Sequence, residues 1–95
     1  MIRIRTSLGR ITATGHAGYA RRGEDIVCSA VSILLYTLAA ALGDEATDLQ
    51  MEEGNSRIEW KINKKNNRTQ DVILEGFRLL AGTYPQYVDY QDNRV

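Results

Sequence analysis

Two side chains in this sequence can do covalent chemistry near neutral pH, and each residue type occurs once: His16 and Cys28. Asp25 is a good helix N-cap, so Cys28 falls in the first turn of the apolar run that begins at Ile26. A cysteine there meets unsatisfied amide donors and the positive end of the helix dipole, which favour thiolate over thiol. The spacing therefore predicts a lowered thiol pKa and a nucleophile at Cys28, with the Asp25 carboxylate able to accept from the Val27 or Cys28 amide and helix N-terminal amides near Cys28 helping to hold an oxyanion. His16, twelve residues earlier, could fold back as its base and later protonate a leaving amine. The plainer alternative is a small buried cysteine and an unrelated surface histidine. Asp25 has two readings, cap or orienter of His16. Ser32, one turn beyond Cys28, could bond near the thiol or back to its own helix. One Cys and one His provide two metal ligands, with no CxxC or HxxxH to complete a set, so no metal is expected. No phosphate-binding glycine motif is present.

A glycine-bounded segment, Gly18–Gly23, lies between the two side chains and holds Tyr19, Arg21 and Arg22. It reads as a lid over a site or as a plain surface connection. The elements around it must do the positioning. Met1–Arg5 and Ile11–Thr14 alternate apolar and polar residues across a Ser7–Arg10 turn, the pattern of a hairpin whose second strand delivers Gly15 and His16. Ile26–Leu42 is apolar on almost every side, which predicts a helix buried on most faces and stopped by Gly43. Thr47–Glu52 and Ser56–Ile62 alternate around Glu53-Gly54-Asn55, a second hairpin. Asn67-Arg68-Thr69-Gln70 has capping-box spacing before a second helix that ends at Gly82 and Pro85. Tyr87–Tyr90 could be a short edge strand, and the tail from Gln91 to Val95 is expected to fray. The order β-β-α-β-β-α-β predicts an α+β two-layer sandwich: a mixed or antiparallel sheet of four to five strands with two helices on one face.

The bulk properties narrow the function classes. Ninety-five residues, 43% hydrophobic and 25% charged, predict one domain over 1–95. Twelve basic side chains balance twelve acidic ones, so no net field draws in nucleic acid, and none is expected as a direct partner. The basic spots Arg3/Arg5/Arg10 and Lys61/Lys64/Lys65 read as solvated strand and turn positions. A lone cysteine makes no intrachain disulfide and fits a reducing, cytoplasmic compartment. The charged, alternating N-terminus is no signal-peptide pattern. The apolar run at 26–42 falls short of the ~20 residues that span a bilayer, so a core helix and no membrane are expected.

GHAGYA followed by GEDIVCSAVS resembles the signature of the ribosomal-processing cysteine protease family, with a Gly-His-Ala block and an Asp-Ile-Val-Cys block at this separation. The resemblance extends over nearly the whole chain. It implies a homodimeric protease domain without cofactor that removes a short N-terminal extension from a large-subunit ribosomal protein precursor, after a hydrophobic, aromatic-containing motif. It implies Cys28 as nucleophile, His16 as general base, Asp25 and Ser32 as supporting residues, and the loop of Gly18, Tyr19 and Gly23 as the substrate lid. Tyr19 and Tyr36 are candidates for contacting the aromatic motif, with a core or dimer contact the stronger reading for Tyr36. Ser29 stands where alanine looks commoner in the family.

Two other classes make different demands. A non-catalytic ribosome-associated binding module would need salt-sensitive RNA binding, which the balanced charge disfavours. A thiol redox protein would need a resolving cysteine, and the chain has no second one.

Overall fold

The computed structural model describes residues 1–94. Strands β1 (Ile2–Ser7) and β2 (Arg10–Thr14) form the first hairpin, and helix α1 (Ile26–Leu42) follows the glycine-bounded loop. A 3-10 turn (Gly43–Glu45) leads into β3 (Ala46–Glu52) and β4 (Asn55–Trp60), then α2 (Lys64–Thr83) and β5 (Val88–Asp92). The predicted element order is the observed one.

The five strands lie in the order β3-β4-β2-β1-β5. All neighbours are antiparallel except β1 and β5, which run parallel from the Ile2–Val88 pair. Period-two alternation sends Ile2, Ile4, Ile11, Ala13, Ile58 and Trp60 to one face, where each is buried. The opposite face carries the charges. There Arg5 pairs with Asp89 at 2.7 Å and Arg57 with Asp48 at 2.6 Å. Both helices cover the apolar face, with Phe77 of α2 and Leu38 of α1 fully buried against it. This is the two-layer arrangement that the alternation implies.

Four local expectations are corrected. First, α1 is not buried on most faces. Val27, Val31, Leu35, Leu38 and Leu42 are buried at helical spacing, while Ile33 and Tyr36 are 62% and 56% exposed. A helix in an outer layer can bury only the side that meets the sheet and its neighbour. With the 3-10 turn the segment Ile26–Glu45 reaches 20 residues and holds an 18-residue window of mean hydropathy 2.1, long and apolar enough to cross a membrane by length and composition. Here one side of it closes the sheet. Second, α2 begins before the predicted box. Asn63 is the cap, and its side chain accepts from the Asn66 amide. Gln70, expected as a capping partner, is instead buried and donates to Thr6 Oγ1 and the Ser7 carbonyl. Third, β4 ends at Trp60, and Ile62 beyond it is 54% exposed, with its side chain lying over Gly9. Fourth, the tail is held through Arg94. Asn93 donates to the Thr6 carbonyl, and Arg94 pairs with Asp71 and Asp92. Val95, the last residue of the expected fraying tail, lies outside the described residues.

Candidate active site

The sheet places His16. Thr14 of β2 pairs with Asn55 of β4. One residue further, the Gly15 amide donates to the Gly54 carbonyl at 2.9 Å. Gly15 is required at this point: its φ is +90°, and a Cβ there would lie 2.4 Å from the Met1 carbonyl oxygen. The ladder therefore runs past the end of β2 and sets His16 against the tip of the β3–β4 hairpin. A Cβ on Gly54 would lie 2.7 Å from His16 Nε2 and 3.0 Å from its Cε1.

The start of α1 places Cys28. Asp25 is buried and caps the helix, its Oδ1 accepting from the amides of Val27 and Cys28, both at 3.0 Å. Its Oδ2 accepts from Tyr19 at 3.0 Å and Ala20 at 3.4 Å. One carboxylate thus joins the helix start to the glycine-bounded loop. Burial works against its charge, and the four amide bonds outweigh that, leaving its pKa below the ordinary carboxylate value. Of the two readings for Asp25, capping is the observed one, and it makes no hydrogen bond to His16 among the described residues.

Cys28 departs from expectation. Its pKa is raised, not lowered. Burial is the largest cause, and the negative charges of Asp25 and Glu53 add to it. The Ala17 amide, which donates to Cys28 Sγ at 3.4 Å, opposes them. The cap also removes the expected counterweight. The amides that would have stabilised a thiolate or an oxyanion are those of Val27 and Cys28, and both are already satisfied by Asp25. The donor aimed at the sulfur comes from the strand side, from Ala17. Among the described residues no hydrogen bond joins His16 to Cys28.

Both side chains open onto the same space. A groove of about 470 Å³ runs from His16 and Cys28 along α1, with Ser32, Ile33 and Tyr36 on one wall and Glu52, Gly54 and Ser56 on the other. A second recess of about 350 Å³ holds His16 and Cys28 beneath Ala20, Arg22 and Gly23 of the loop, with Glu53 opposite. Arg22 reaches across to Glu53 at 2.8 Å. The loop is anchored at its other end by Tyr19, whose ring meets Tyr84 and Tyr87 edge-on at 5.6 and 5.2 Å. Tyr19 is therefore tied to the junction of α2 and β5. Tyr36 is a groove-wall residue and not a core one. Ser32 is exposed, lines the groove, and makes neither of the two expected side-chain bonds among the described residues. Glu52, Glu53, Gly54 and Ser56 escaped sequence reasoning. Their turn was legible, but only the β2–β4 pairing brings it to His16.

Known proteins share this sequence pattern and fold. The sequence profile of cysteine protease Prp matches residues 1–89. The chain belongs to the Prp cysteine protease family. Prp-family membership makes it a cysteine protease. The ribosomal processing cysteine protease Prp of Mycoplasma pneumoniae is 29% identical, over 99% of this chain and 97% of that one. The crystal structure of SMU.848 from Streptococcus mutans is 31% identical with a TM-score of 0.81, covering 100% of this chain and 96% of that one. An essential ribosomal processing protease Prp from S. aureus, solved with a covalently linked product peptide, shares the fold at TM-score 0.87 and 20% identity, over 98% and 100% of the two chains.

Proposed function

We propose that this chain removes a short N-terminal extension from a large-subunit ribosomal protein precursor, cutting after a hydrophobic, aromatic-containing motif. The observation that carries this reading is the groove: His16 and Cys28 stand at one end of a channel walled by Ile33 and Tyr36. Such a channel suits an extended peptide with apolar side chains. The names and bound peptides of the relatives support the same substrate class.

In the proposed reaction Cys28 is the nucleophile and His16 the general base. The raised thiol pKa means that Cys28 starts as a thiol. His16 takes its proton as sulfur attacks the scissile carbonyl. The C–N bond then breaks, His16 gives the proton to the leaving amine, and a thioester remains. Water, deprotonated by His16, hydrolyses the thioester, and the proton returns to sulfur. The Ala17 amide, already directed at Sγ, is the donor we assign to the developing oxyanion. Asp25 supports the reaction by holding helix and loop together, and Ser32 supports it from the groove wall. Arg21–Gly23 is the moving part of the lid, since Gly18, Tyr19 and Ala20 lie on its anchored side. The chemistry needs no cofactor. We place the protease in the cytoplasm as a homodimer, on its family likeness.

The test is mass spectrometry of the host's ribosomal protein precursor after incubation with wild type, Cys28→Ala and His16→Ala. Wild type should shorten the precursor by one N-terminal peptide, and neither variant should, with circular dichroism unchanged. Equal cleavage by all three proteins sinks the assignment. Sedimentation velocity tests the dimer.

A further inference from the structure

A second trough lies at the other end of the helical layer. It holds about 500 Å³ between the C-terminal half of α1 and the first turns of α2. Ala41, Val72 and Ile73 give it aliphatic walls, and Lys64, Lys65 and Arg68 stand around it. At a helical rise of ~1.5 Å per residue, Ala41 is about 20 Å along α1 from Cys28; the trough begins at Thr37, next in the chain to Tyr36 of the groove, and shares no lining residue with the groove.

The charge around this place is positive. Elsewhere on the molecule Arg5, Arg21, Arg22, Arg57, Arg78 and Arg94 each pair closely with an Asp or Glu, Arg10 reaches Glu59 at 3.9 Å, and Arg3 and Lys61 have no carboxylate partner among the described residues. Around the trough, Lys64 and Arg68 have no carboxylate partner among the described residues, and Lys65 reaches Glu45 only at 3.9 Å. Two of the four cations without a carboxylate partner among the described residues, together with the loosely paired Lys65, thus stand around this apolar recess. Val72, on the wall, is 67% exposed.

We propose that this trough is a docking site for an acidic, aliphatic segment of a partner protein. Aliphatic side chains of the segment enter between Ala41, Val72 and Ile73, and its carboxylates meet Lys64, Lys65 and Arg68. Apolar anchors in a recess with charge complementarity at the rim are the usual anatomy of such contacts. The lining argues against single-stranded RNA as occupant, because the trough has no aromatic ring on which a base could stack.

Fluorescence anisotropy on the full-length protein tests the proposal with three labelled probes: a glutamate-rich peptide with leucine at helical spacing, a polyglutamate peptide of equal length, and oligouridine RNA. The leucine-bearing peptide should bind saturably. Its affinity should fall by about tenfold or more in Lys64→Glu/Arg68→Glu and separately in Val72→Asp. Unchanged circular dichroism and precursor cleavage report that these variants remain folded. The proposal is overturned if no probe binds, if polyglutamate or oligouridine binds as tightly, or if Val72→Asp leaves the affinity unchanged. It is also overturned if Val72→Asp abolishes self-association in sedimentation velocity, because the recess then belongs to contact with a second copy.

Discussion

The His16 imidazole rests against Gly54, at the one point of the β3–β4 turn where no side chain stands in its way. A methyl group there would intrude to 2.7 Å of Nε2. Gly54 also has φ +75°, which glycine adopts at little cost. Gly54→Ala should therefore displace His16 while the sheet remains. If His16 is the general base proposed above, precursor cleavage should fall by about a hundredfold, with far-UV circular dichroism unchanged. Full activity in a folded Gly54→Ala protein would show that His16 does not need this seat.

Cys28 should react slowly with alkylating agents at neutral pH. Burial, Asp25 and Glu53 hold its thiol above the ordinary range. The pH midpoint of iodoacetamide modification should lie above the ~8.5 of a free cysteine. Glu53→Gln removes one of the negative charges and should move the midpoint down. A wild-type midpoint below the free value would mean a thiolate already formed in the resting enzyme.

Asp25→Ala should lose two helix-capping bonds and two loop bonds at once. Loss of the cap alone costs about 0.5–2 kcal/mol, read as a lower urea midpoint. Asp25→Asn keeps an acceptor for the Val27 and Cys28 amides but loses the charge, so it should fall between the two. The depressed carboxylate sets a pH signature. Its stabilisation is complete above the unfolded-state pKa of about 4 and drains away as pH falls through the lower folded value. The gap between wild type and Asp25→Asn should close in that acid window, and a gap that stayed constant would argue against the assignment.

The Arg22–Glu53 pair spans the recess that holds Cys28, with side chains 86% and 55% exposed. So exposed a pair contributes no more than about 1 kcal/mol. Arg22→Ala should raise kcat/KM by less than about fivefold at low ionic strength, by freeing the lid. The difference from wild type should vanish near ~1 M salt, where screening acts within about 3 Å. An effect that survives high salt would point to a contact other than this ion pair.

Tyr19 should matter for the loop rather than for substrate choice. Tyr19→Ala removes its edge contacts with Tyr84 and Tyr87. Each such contact is worth about 0.5–1.5 kcal/mol. Amide hydrogen exchange of residues 18–24 should accelerate, while preference among peptides with different aromatic residues should not change.

What the sequence by itself determined was local. Alternation in Ile2–Ile4 and Ile58–Trp60, the Asp25 cap, the Gly43 stop and the turn at Gly54 are set by neighbours a few residues apart, and the strand and helix order follows from them. The paired His16 and Cys28 blocks were legible for the same reason, as short runs at a fixed separation. Where local signals competed, the outcome needed the fold: Asn63 and Asn67 are both good caps, and α2 starts from Asn63, with Asn66 and Gln70 buried beneath it. The juxtapositions were tertiary. Only the placing of β4 beside β2 puts Gly54 under His16 and Glu53 opposite Arg22. The direction of the Cys28 shift was tertiary as well. The helix start predicted a stabilised thiolate, but the field at a sulfur is the sum over every charge and every lost water around it. Asp25 takes the amides, Glu53 arrives from a distant turn, and burial excludes the solvent that would have favoured the charge.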